Sequence, residues 1–167
     1  IDFVRRSFDF YKQAKIANGT GLYFAPAGRN PDDAPQAIIV NYMNPTDAAG
    51  NAISAERLAR AMEEHVRQRG GTLVAPFATP DPTNPSRLQY FVPFYYIYPQ
   101  DRNGDMRLAA VARVDGTIVG ILYKQTIDGA DPAAIEANVK RWLTQNLEIY
   151  GGAVSRLVPP PRPSSAR

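Results

Sequence analysis

Residues 87–98 read as a strand that is apolar on both sides. Tyr90, Val92, Phe94, Tyr96 and Tyr98 alternate with Phe91, Tyr95 and Ile97, and successive strand side chains point to opposite faces. The next two strands repeat the pattern. Leu108, Ala110, Ala112 and Val114 oppose Ala109 and Val111, then Ile118 and Leu122 oppose Val119 and Ile121. Between them Asp115-Gly116 is a strong hairpin signal. A sheet apolar on both faces needs cover on both. The predicted class is α+β: an α/β/α sandwich whose largely antiparallel sheet is covered by helices on both faces.

The rest of the chain supplies the covering pieces. Ile1, Val4, Phe8 and Tyr11 recur at helical spacing. They predict a helix over 1–17, stopped at Asn18-Gly19, that either packs on the domain or continues from an upstream anchor. Residues 21–25 and 36–43 read as short strands. Ser54 is an N-cap candidate for a helix to about residue 69. That helix buries Leu58, Met62 and Val66, and sets Glu56–Arg60, Arg60–Glu64 and Glu63–Arg67 on its wet face. A strand at 72–77 precedes a proline-rich loop. Pro93, inside the aromatic strand, predicts an edge position or a bulge.

Asp131 and Pro132 open a second helix, with Ile135, Val139, Trp142, Leu143 and Leu147 inward and Gly151-Gly152 at its end. The organisation is then an N-terminal helix (1–19), a globular domain (20–150) and a Pro-rich extended tail (151–167). The prolines of that tail favour an extended left-handed form.

Composition narrows the function. The 167 residues hold no cysteine and one histidine, which removes thiol chemistry and argues against a zinc site. Net charge is +3, and it sits at the ends: residues 1–19 carry +2 and residues 151–167 carry +3, leaving the body at −2. A nucleic-acid surface gathers its bases on one element, so no nucleic-acid partner is expected.

His65 lies inside a helix beside Glu64, where a surface role outweighs catalysis. The loop from Asp101 to Asp105 has oxygen-bearing side chains at alternate positions. Gly104 comes too early for a calcium loop, so a tight strand connection is expected. Gly19-Thr20-Gly21 lacks the rest of a phosphate loop. Asp32-Asp33 lies in a proline-flanked loop and forms no catalytic pair. The reading is no enzyme, no catalytic residue, no metal ligand and no cofactor.

Element order and aromatic placement over residues 21–150 resemble the PsbP-like family of extrinsic photosystem II subunits and their bacterial relatives. The likeness rests on Gly21-Leu22-Tyr23-Phe24, the helix at 55–69, the aromatic strand 90–98, the Asp-Gly hairpin and the helix bearing Trp142. The resemblance implies a non-enzymatic sandwich that works by binding a larger assembly. It carries no ligand residue to a position here.

The expectation is therefore an accessory or assembly subunit that docks on a membrane-associated, possibly photosynthetic, protein complex on the periplasmic side of the cell envelope. Membrane contact would come through an upstream segment. Arg5, Arg6, Tyr95, Tyr98, Arg156, Pro159, Pro160, Pro161 and Arg162 are the candidate partner-binding residues, with the basic ends acting as clamps. The alternatives are a small-molecule or lipid carrier and an enzyme with an unrecognised site.

Overall fold

In the computed structural model, residues 2–3, 6–74 and 89–157 are described. A two-stranded ribbon, β1 (Asp2–Phe3) with β2 (Arg6–Ser7), precedes β3 (Asp9–Ile16), β4 (Gly19–Ala25) and β5 (Gln36–Met43). Then come α1 (Ala55–Gln68), β6 (Thr72–Leu73), β7 (Gln89–Tyr98), β8 (Asn103–Val114), β9 (Thr117–Asp128) and α2 (Pro132–Leu157). Strands β3 to β9 form one antiparallel sheet in the order β3-β4-β5-β9-β8-β7-β6. The class is mixed α+β.

The N-terminal helix expected over 1–19 is instead strand. Ile16 pairs with Gly19, so Ala17-Asn18 is a hairpin turn rather than the end of a helix. A bulge hides the strand period. The register jumps between Phe10 and Lys12, leaving Tyr11 as an extra residue. Phe8 and Phe10 obey one two-residue phase, and Lys12, Ala14 and Ile16 obey another. Across the break the spacing imitates a helix.

The aromatic strand and hairpin follow their predicted alternation. Leu108, Ala110, Ala112, Val119, Ile121 and Tyr95 share one buried cluster with Ile135, Val139 and Leu143 of α2. Ala109, Val111, Ile118, Tyr90, Val92 and Phe94 share another with Ala55, Ala59 and Val66 of α1. Asp115 and Gly116 both take positive φ, 47° and 78°, which a two-residue hairpin of this hand demands. At Pro93, Val74 N donates to the carbonyl at 3.0 Å. N and O of one strand residue point the same way, so the missing donor faces the β6 side, where β6 spans only Thr72–Leu73.

Ser54 caps α1, its Oγ accepting from Arg57 N at 3.0 Å. The buried row is Ala55, Ala59, Glu63 and Val66. Glu63 is thus not on the wet face, because its four-residue offset from Ala59 turns it toward the sheet. Glu56 and Arg60 do pair outside, at 2.8 Å. Asp131 Oδ1 accepts from Ala134 N at 2.8 Å to start α2.

That helix runs past Gly151-Gly152 to Leu157. Glycine costs a helix about 1 kcal/mol, which lowers its stability without ending it. The extended tail therefore does not begin at residue 151.

Two glycines let α2 settle on the sheet. A methyl at Gly104 would lie 2.7 Å from Ile135 Cγ2, and one at Gly129 would lie 2.6 Å from Ile135 N. Beyond Ile135, the Trp142 ring stacks on Tyr123 at 5.7 Å, and Phe8 meets Tyr123 edge-on at 6.4 Å. Tyr123 donates to Gln125 Oε1 at 2.9 Å.

Candidate functional site

Of the expected partner-binding residues, the structure keeps Tyr98 at the surface and removes Tyr95 from it. Tyr95 is 3% exposed. It pairs with Thr72 of β6 and shares the buried cluster of Ile135, Val139 and Leu143 on α2, so it packs β6, β7 and α2 together. Burial pushes its phenol above the ordinary value, partly opposed by the neighbouring Thr72. Arg6 is exposed on β2. Arg156 falls in the last turn of α2, and its side chain lies outside the described residues. Arg5, Pro159, Pro160, Pro161 and Arg162 also lie outside them.

Tyr98, 41% exposed, closes β7 beside a charged pair that sequence reasoning passed over. Tyr98 pairs with Asn103, Tyr96 with Asp105 and Phe94 with Arg107. Asp105 and Arg107, two apart on one strand, therefore stand on the side of Tyr96 and Tyr98. Asp105 is only 7% exposed. Its Oδ2 accepts from Arg107 Nε at 2.9 Å and Nη2 at 2.6 Å. Its Oδ1 is buried and has no hydrogen-bond partner among the described residues.

The Arg107 guanidinium also lies over the Tyr96 ring, 5.6 Å from its centroid. Burial and the Asp105 charge push the Tyr98 phenol upward, with Arg107 opposing. The readable signal was the Asp-x-Arg spacing at 105–107. It was missed because residues 101–105 read as a loop, whereas β8 begins at Asn103. The true connection is one turn of 3-10 helix at Pro99–Asp101 and a left-handed Arg102.

A second feature sits at the far edge of the sheet. Phe10 and Tyr11, 58% and 48% exposed, sit at the bulge of β3. Beside them is an open hollow of about 490 Å³ lined by Asp9, Phe10, Tyr11, Pro26, Gly28 and Arg29, among others. Lys12 lies 5.1 Å over the Tyr23 ring and 3.8 Å from Asp32.

His65 is exposed on α1. Among the described residues no three His, Cys, Asp or Glu side chains gather closely enough to hold a metal ion. No described helix is long and apolar enough to cross a membrane. No protein-family model and no curated protein matches the chain.

Proposed function

We propose that the chain is a non-enzymatic binding module, an accessory or assembly subunit that docks on a larger membrane-associated protein complex. The contact is the corner made by Tyr98, Arg107 and Asp105. One observation carries the reading: an exposed tyrosine and a partly exposed arginine stand beside a buried carboxylate whose Oδ1 has no partner among the described residues. Tyrosine and arginine dominate binding hot spots. A buried acceptor without a donor costs about 1–3 kcal/mol. A partner's N–H brought in along Tyr98 removes that cost only in the complex, so the interaction favours the bound state.

The same reading takes the architecture as an α/β/α sandwich. Its support is the alternation along β8: α1 shares a cluster with Ala109 and Val111, and α2 with Leu108, Ala110 and Ala112. A body of that kind is stiff, which keeps the corner pre-arranged for binding. The PsbP-like resemblance favours a photosynthetic host on the periplasmic side of the envelope, with the basic ends adding contacts.

The test is size separation of undissociated extract from cells expressing tagged chains. The wild type is expected to migrate with a large complex. Tyr98→Ala, and a chain lacking residues 159–167, are expected to shift toward free protein while melting like the wild type. A wild type that migrates alone overturns the docking reading. A Tyr98→Ala chain that stays with the complex overturns the corner.

A further inference from the structure

β3 ends the seven-strand sheet, and among the described residues no strand pairs with its outer side. Open edges invite another strand, and natural sheets block them with lysines and bulges. This edge has both devices, in Lys12, Lys15 and the bulge at Tyr11. It also carries the two most exposed large hydrophobic side chains among the described residues, Phe10 and Tyr11. A blocked edge has no need of them.

The run Asp9-Phe10-Tyr11-Lys12 is acid, aromatic, aromatic, base. Read backwards it is its own complement. We propose that the β3 edge pairs antiparallel with the β3 edge of a second copy of this chain. The twofold axis passes between Phe10 and Tyr11, so Asp9 faces the copy's Lys12, and Phe10 faces the copy's Tyr11.

The bulge makes this pairing possible. Residues three apart in a regular strand lie on opposite faces. Here Asp9 pairs with Ala25 and Lys12 with Tyr23, two apart on β4, so Asp9 and Lys12 share a face. A twofold axis perpendicular to the sheet keeps each face on its own side, and the contact is isologous. Asp9 and the copy's Lys12 then meet, at both ends of the run. Sliding the copies by three residues sets Lys12 against Lys12 one way and Asp9 against Asp9 the other. Like charges directly opposite are destabilising.

The hollow beside Phe10 and Tyr11 gives an aromatic ring of the copy a seat on each side. The chain leaves the edge at Phe8, which is buried, so each strand contributes about four residues. Such a contact falls below the standard interface size, and the association is weak. It does not rest on the docking reading, because Tyr98 lies on β7, across the sheet from β3.

The experiment is sedimentation equilibrium from about 10 µM to about 1 mM, the range where small interfaces associate. The wild-type mass is expected to rise from 18.4 kDa toward twice that value. Asp9→Lys alone and Lys12→Asp alone are each expected to associate at least tenfold more weakly. Their equimolar mixture recovers wild-type association, because both opposite-charge pairs are restored between unlike chains. The double variant Asp9→Lys/Lys12→Asp self-associates like the wild type.

Tyr11→Ser, at an exposed site, gives an independent loss of at least tenfold and keeps the test intact if a charge variant folds poorly. A wild type that stays monomeric throughout overturns the proposal. So do single variants that associate normally, or a mixture of well-folded variants that stays monomeric.

Discussion

Alanine at Gly104 and at Gly129 probes how α2 is seated, and the two sites should respond differently to the same rescue. At Gly104 the added methyl meets the far end of a side chain, Ile135 Cγ2, at 2.7 Å, with Tyr96 O at 3.0 Å. At Gly129 it meets helix backbone, Ile135 N at 2.6 Å and Cα at 3.0 Å, besides Cγ1 at 2.7 Å. Overpacking of this kind costs about 1–3 kcal/mol; Gly129→Ala belongs at the upper end because backbone cannot rotate away. Ile135 is fully buried, so Ile135→Ala alone costs about 2–5 kcal/mol.

Combined with Gly104→Ala, the truncation removes the atom that clashes, and the new methyl occupies part of the cavity. The double variant should therefore be about 1–2 kcal/mol more stable than the sum of the singles, within the usual range for touching residues. With Gly129→Ala the truncation removes Cγ1 but the backbone contacts persist, so the coupling should be smaller, about 0.5 kcal/mol. Urea unfolding followed by Trp142 fluorescence measures both cycles. The single tryptophan lies on α2 against Tyr123 and reports the seating directly. With a slope of about 2 kcal/mol/M, the expected coupling moves the midpoint by about 0.5–1 M. An additive Gly104 cycle, or a Gly129 cycle coupled as strongly, would refute this account of the docking.

Two further outcomes follow from the buried tyrosine and the cap. Burial pushes the Tyr123 phenol well above its ordinary value. A raised folded pKa means the unfolded chain ionises first, so its contribution to stability is complete below about pH 10 and falls as pH rises further. The loss approaches about 1.4 kcal/mol per pH unit for the one group. Melting temperatures between about pH 8 and pH 11 should decline more gently in Tyr123→Phe, and an unchanged slope would discard the assignment. Ser54→Ala should cost about 1 kcal/mol and Ser54→Asp should not; equal midpoints in urea for all three chains would contradict the cap.

The candidate site was only half legible. Tyr98 was found because alternation alone sends it to the end of an aromatic strand. Tyr95, on the opposite phase of that strand, carried the same polar tip and the same apparent promise. Nothing local told that it would be buried between β6 and α2, because that cover comes from elements distant in the sequence. Asp105 and Arg107 lay in plain sight at strand spacing, yet the turn-like residues before them disguised where β8 begins.

The chain by itself determined the elements whose signals are local. The cap at Ser54, the Asp115-Gly116 turn, the strand at Gln36–Met43 and both phases of the aromatic strand each depend on a few neighbouring residues, and each stands where expected. Tertiary structure decided the N-terminus, where β3 gains its strand identity only by pairing with β4. A bulge there moves the period by one, and no local rule distinguishes that break from a helical repeat. It also decided that Glu63 faces the sheet. Propensity differences of about 1 kcal/mol or less per residue yield to the burial of whole side chains, worth about 1.5–3 kcal/mol each.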